Sequence, residues 1–314
     1  MRTHEGKLPI VIATSVVRGS EQGQSHGGIY LIDLEDETTH QVYDWNTGDI
    51  DFSGRGADRG LRGIAFFEQE TYIAASDELF IFDSNFEILR SYRNRYLKHC
   101  HEISVHGDSL YLTSTGFDSI LLFDLRQLSF TWGLAFKNEA GVIEASSFDP
   151  RVENGPTPRN DFHLNNILAN SSGLYISGRK SPALMHFTGK GIDVVAKLPL
   201  GTHNAQPING GLIYNDTAAD KLRYSIKDRH TAFDVPRYPE SDILNEFDDA
   251  TNVARQAFGR GLCPVSTNVV VGGSSPSTVT AYDLDNGNTV TSVNVSMDIR
   301  SAIHGLELWP YPPG

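Results

Sequence analysis

Histidines, arginines and side-chain amides recur at matching places along this 314-residue chain. Arg62, His101, Asn165, Gln206, Cys263 and His304 each open a short apolar segment, and His99, His163, His203 and Arg260 lie just before such openings. The openings cover roughly a tenth of the chain, so about one of the 11 histidines should fall there by chance. Five do: His99, His101, His163, His203 and His304. Imidazoles gathered from separate segments suit a divalent transition metal such as Mn, Zn or Fe, and a glutamine can complete the shell. His101, His203, Gln206 and His304 are the candidate metal ligands on that reading. The alternative is that a histidine at the head of a strand only hydrogen-bonds neighbouring backbone.

The planar guanidinium fits a carboxylate or phosphate. Arg62, Arg179 and Arg260, with Asn165 and Asn215, are therefore candidate contacts to a small anionic molecule. Equally, the arginines could pair with Asp58, Asp77, Asp161 or Asp216 and tie segments together. Glu102, Asp77 and Asp216 are candidate general bases, or partners that orient the histidines, and His163, Asp216 and Glu102 are the candidate catalytic groups. Strand alternation sends His101 and Glu102 to opposite faces. No HExxH, CxxC, P-loop, dinucleotide fingerprint or GxSxG motif accompanies them.

The elements that must position these residues form a repeat. Apolar strands ending in aspartate recur as Leu31-Ile32-Asp33-Leu34, Ile81-Phe82-Asp83, Leu122-Phe123-Asp124-Leu125 and Ala281-Tyr282-Asp283-Leu284. Before each comes another apolar strand ending in small polar residues, as in Tyr111-Leu112-Thr113-Ser114. The unit has four strands, A to D; in the second copy these are Arg62–Phe67, Tyr72–Ser76, Glu78–Asp83 and Ile88–Arg93. The first copy has B, C and D at Ile10–Ser15, Ile29–Leu34 and Gln41–Trp45 but lacks an A strand, which reappears at His304–Trp309. Joining the termini in one sheet removes an open edge. Repeats of roughly 40 residues with this closure predict a single all-β domain over residues 1–314, a six-bladed β-propeller of four-stranded blades.

Three D-to-A connections are long, and the A-strand starts surround the mouth they overlie. Asn46–Leu61 is one, Asn138–Asp161 reads as a loop, and Glu240–Ala257 includes a candidate short helix with Ser241 as its N-cap. The net charge of −13 argues against nucleic acid and anionic membrane partners. Two cysteines, Cys100 and Cys263, make no disulfide scaffold, and no long apolar run is present, so a cytoplasmic protein is expected.

The segments "RGLRGIAF", "HCHEISV", "FHLNNIL", "THNAQPI", "RGLCPV" and "AIHGLELWP" resemble a bacterial six-bladed propeller family of unknown function over nearly the whole chain. The layout is similar, more distantly, to gluconolactonase and strictosidine-synthase propellers, which hold a metal or substrate at one channel mouth. It also resembles histidine-metal propeller lyases acting on oligogalacturonate. That resemblance implies Mn held by His101, His203, Gln206 and His304. The expected function is thus a metal-dependent lyase, isomerase or hydrolase acting on a small anionic, sugar-derived substrate. The competing expectation is a propeller that binds a ligand or protein without chemistry.

Overall fold

The computed structural model describes residues 7–46, 60–245 and 254–311. The chain is all-β, the described residues forming five four-stranded sheets and one five-stranded sheet, and is a six-bladed β-propeller. It divides into two compact units: a mid-chain unit, Arg62–Ala218, and a terminal unit made of Met1–Leu61 with Ala219–Gly314. Among the described residues, no helix is long and apolar enough to cross a membrane.

In the mid-chain unit the A strands are Ile64–Phe67, Ile103–His106, Leu164–Asn170 and Thr202–Ile208. Arg62 and His101 thus sit just ahead of their strands. B strands such as Glu70–Ala75 are covered on both faces and read as apolar runs, whereas D strands such as Ile88–Arg93 alternate exposed and half-buried positions. The cores lie between successive blades. Tyr72, Ile81, Leu112 and Phe123 belong to one, and Ile120, Phe136, Phe162 and Ile176 to the next.

The recurring aspartate is a turn device. Asp83 Oδ1 accepts hydrogen bonds from Asn85 N and Glu87 N, and Asp124 Oδ1 from Arg126 N and Gln127 N, each at the C-to-D turn. Asp33 and Asp283 do the same in the terminal unit. A short carboxylate bonding backbone two to four residues on stabilises the turn directly.

In the terminal unit, the C-terminal strand Ser301–Leu308 pairs antiparallel with Ile10–Val17, in register Val11 to Leu308 and Val17 to Ser301. It thereby supplies the A strand that the first blade lacks. Val11, Ile32, Val271, Ala281, Ile303 and Leu306 form the core between this blade and the one built on Arg260–Pro264.

Two local expectations are corrected. The Asn138–Asp161 segment is not a plain loop: strand Ser129–Glu139 turns at Ala140 and Gly141, both at positive φ, into a fifth strand, Val142–Phe148. Asn138 Oδ1 holds the turn by accepting from Gly141 N, and Phe148 lies over Gly133 where any side chain would clash. Ser241 is not an N-cap but lies inside a single 3-10 turn, Glu240–Asp242, which follows Pro239 and has no side-chain cap. Residues 246–253 of that connection, and residues 47–59, including Asp58, lie outside the described residues.

Candidate functional site

In the mid-chain unit the A-strand starts are knitted together by polar side chains. Arg62 Nη1 lies 2.9 Å from His101 Nε2, both residues being buried. Arginine only donates, so His101 Nε2 must accept. His101 Nδ1 lies 2.8 Å from His99 O and 2.9 Å from Thr115 Oγ1, while the Thr115 hydroxyl donates to Leu164 O. The Nδ1 proton is therefore shared between a carbonyl and a hydroxyl oxygen. These roles specify a neutral imidazole protonated at Nδ1, with its only lone pair turned to a guanidinium.

His203 repeats the device one blade pair later. Its Nδ1 contacts Gly201 O at 3.0 Å and Thr217 Oγ1 at 2.8 Å. Each threonine lies 14 residues after its histidine. That fixed offset was the sequence signal for Thr115 and Thr217, which residue-type reasoning missed.

Backbone irregularities aim the amides. His163 and Asn204 adopt left-handed φ of 51°, and the pairing register shifts between Leu164 and Asn166 and between His203 and Gln206. In a regular strand Asn165 and Asn166 would face opposite ways; a bulge lets both reach the next A strand. Asn165 Nδ2 donates to Thr202 O at 3.2 Å and Asn166 Nδ2 to Ala205 O at 2.8 Å. Glu102 diverges from His101 as alternation requires, and its Oε1 accepts from Asn204 Nδ2 at 2.9 Å. Much of the polar cluster therefore ties one blade to another.

Asn165 Oδ1 and Gln206 Nε2 are among the buried side-chain atoms that have no hydrogen-bond partner among the described residues. His163 stands half-buried at the edge, its ring 5.6 Å from that of His101 and its Nδ1 3.0 Å from Asn160 Oδ1. Arg179 is half-buried on the turn after Gly173–Gly178, and its backbone N–H donates to His163 O. Asn215 and Asp216 are buried at the end of Gly211–Asp216, paired with His203 and Thr202. Asp77 accepts from His99 N, and Asp161 pairs with Arg159. Asp118, wholly buried, accepts from the backbone N–H of Asp161, Phe162 and Leu164; burial nevertheless pushes its carboxyl upward.

Arg260 and His304 belong to the terminal unit, on Arg260–Pro264 and Ser301–Leu308. Arg260 stacks on Phe258 with its guanidinium 4.8 Å from the ring centre; Arg18 and Arg255 flank the same ring at 5.7 and 5.1 Å. His26 is buried against Ser20 Oγ at 2.6 Å, and desolvation lowers its pKa. Glu307 is half-buried with Cys263 Sγ 4.0 Å from its Oε2, and loss of solvent pushes its carboxyl up to about 7. Neither Cys100 nor Cys263 is in a disulfide, both are buried, and burial pushes the Cys100 thiol up to about 12.

Among the described residues, no group of three or more His, Cys, Asp or Glu could hold a metal ion. The chemistry of His101 agrees, because a lone pair facing a guanidinium does not also face a cation.

No protein-family model matches the chain, and no curated protein matches it. Solved structures do resemble it in fold. A chain of a nidogen/laminin complex superposes with a TM-score of 0.56 at 12% identity, covering 95% of this chain and 97% of that one. A protein of unknown function from Bacteroides caccae superposes with a TM-score of 0.56 at 11% identity, covering 97% and 100%. At such identities the likeness extends to the propeller fold alone.

Proposed function

We propose that the mid-chain unit binds a small hydroxylated acid at its A-strand starts. The observation that carries this reading is the pair Asn165 Oδ1 and Gln206 Nε2, one buried acceptor and one buried donor that no described residue meets. An unmet buried polar atom costs about 1–3 kcal/mol, so a ligand that meets both recovers that cost on binding. A hydroxyl donates to Asn165 Oδ1, and a carboxylate or hydroxyl oxygen accepts from Gln206 Nε2. Arg62 places positive charge at the head of a nearby A strand, and Arg179 and His163 form the rim. Ligand binding has better support than metal-assisted lyase or hydrolase chemistry, because His101 already serves Arg62.

Differential scanning fluorimetry with gluconate, galacturonate, malate and citrate tests it. A ligand at 100 times its Kd should stabilise the protein by about 2.7 kcal/mol. Asn165→Ala and Gln206→Ala should each erase most of the shift while leaving the unliganded transition cooperative. A panel in which no hydroxy acid raises the transition, or in which both variants keep the full rise, overturns the reading.

A further inference from the structure

The mid-chain unit carries a concavity at the far ends of the strands that begin near His101 and Asn165. It holds about 330 Å³ and lies between the blades built on Ile103–His106 and Leu164–Asn170. That volume is at the low end of small-molecule sites, which run from about 300 to 1,000 Å³, so it suits one or two rings and no polymer.

Its lining has an unusual composition for this protein. Charged residues make up 21% of the chain, yet among the described residues no Asp, Glu, Lys or Arg lines the cavity. A site without a carboxylate, ammonium or guanidinium group gives an ionic ligand no such partner to offset its desolvation and so favours neutral molecules. Tyr111, Trp132 and Phe187 supply aromatic surface, and all three rest half-buried on the core beneath them. Trp132 and Phe187 come from neighbouring blades and stack at 6.1 Å with their planes only 28° apart, making one continuous platform. His106, Asn170 and Thr188 line the same cavity with hydrogen-bonding side chains, His106 and Thr188 being exposed.

Aromatic faces bounded by hydrogen-bonding side chains match a molecule with an apolar ring face and a polar edge. The geometry points to a binding site for a neutral pyranose sugar, its C–H face on Trp132 and Phe187 and its hydroxyls toward His106, Asn170 and Thr188. A flat apolar molecule would use the platform and leave the polar groups idle. A sugar acid would bring a charge that nothing here meets. The site is separate from Asn165 and Gln206 and takes the opposite class of ligand.

Methyl β-glucopyranoside, methyl β-galactopyranoside, maltose and cellobiose are the probes, followed by saturation-transfer NMR on the full chain and by tryptophan emission. At least one should bind saturably and shift the emission, and galacturonate should bind there more weakly than its neutral counterpart. Trp132→Ala should weaken binding roughly tenfold or more, the loss expected when about 1.4 kcal/mol of contact is removed. Trp132→Phe, which keeps a ring, should retain most of the affinity and lose the emission change. Thr188→Ala, at an exposed position, tests the polar edge without risk to the core and should weaken binding severalfold. Asn165→Ala and Gln206→Ala should leave sugar binding unchanged. Absence of saturable binding by every neutral sugar, equal binding by folded Trp132→Ala, or a preference for indole over all sugars each overturns the assignment.

Discussion

Replacing Glu307 with glutamine should remove a pH dependence that the closing strand builds into the terminal unit. Glu307 has its carboxyl pushed from 4.5 to about 7 by loss of solvent, partly opposed by a hydrogen bond from the Leu308 backbone. A carboxyl with a raised folded-state pKa binds its proton more tightly in the native chain than in the unfolded one. Its contribution is fully present below about pH 4.5 and is lost as pH rises through about 7. At 1.36 kcal/mol per pKa unit the full difference is about 3 kcal/mol. Glu307 keeps partial solvent contact, so a loss of roughly 1–2 kcal/mol is the expected outcome. Glutamine keeps the shape and cannot ionise. Urea unfolding of wild type and Glu307→Gln at several pH values between 4 and 8 reads the effect as a difference. The wild type should fall relative to the variant as pH rises, with the curves parting between pH 5 and 7. Parallel curves across that window would refute the argument that burial disfavours the carboxylate.

Other outcomes follow from the same structure. Asp118→Ala should cost about 3 kcal/mol, because three backbone N–H groups, those of Phe162 and Leu164 buried, lose a carboxylate acceptor; faster hydrogen exchange at Phe162 and Leu164 is the local readout, and an unchanged unfolding midpoint contradicts it. His101→Ala should destabilise by about 1–3 kcal/mol by removing the acceptor of Arg62, and His101→Gln should recover part of the loss through its side-chain oxygen. If alanine and glutamine are equally damaging, packing of the ring matters more than the accepted hydrogen bond. Ending the chain before Ser301 strips Ile10–Val17 of its partner and should abolish the cooperative transition of the terminal unit, monitored by circular dichroism.

The blade repeat was legible because its marker is local chemistry. Asp83, Asp124 and Asp283 each recur where a carboxylate must bond backbone a few residues on, so a linear pattern records a three-dimensional need. The closing strand was legible for a related reason: the first blade is one strand short at its beginning and the chain has one strand over at its end. The outer hairpin was harder to see. Val142–Phe148 carries Ile143, Ala145 and Phe148 toward the core, each only half-buried, among Glu144, Ser146 and Ser147. A strand lying on the outside of a blade buries so little that its alternation resembles a polar loop. The histidines show another limit. Residue type marks His101 as a metal ligand and as a hydrogen-bond acceptor equally well, and only Arg62, 39 residues away, decides which lone pair is in use. Asn204 was missed because its partner Glu102 is 102 residues distant.

The pairing of Ser301–Leu308 with Ile10–Val17 has a consequence for synthesis on the ribosome. A nascent chain grows at about 5–20 residues per second, so roughly 15–60 s pass between emergence of Ile10–Val17 and of the strand that completes its sheet. Throughout that interval one edge of an apolar strand is without its native neighbour. The mid-chain unit, by contrast, is one continuous segment that can fold as it emerges. Blades would then mature out of numerical order, the first being the last to finish. Its exposed edge during translation is the natural place for a chaperone to bind and for misassembly with a second nascent copy to begin.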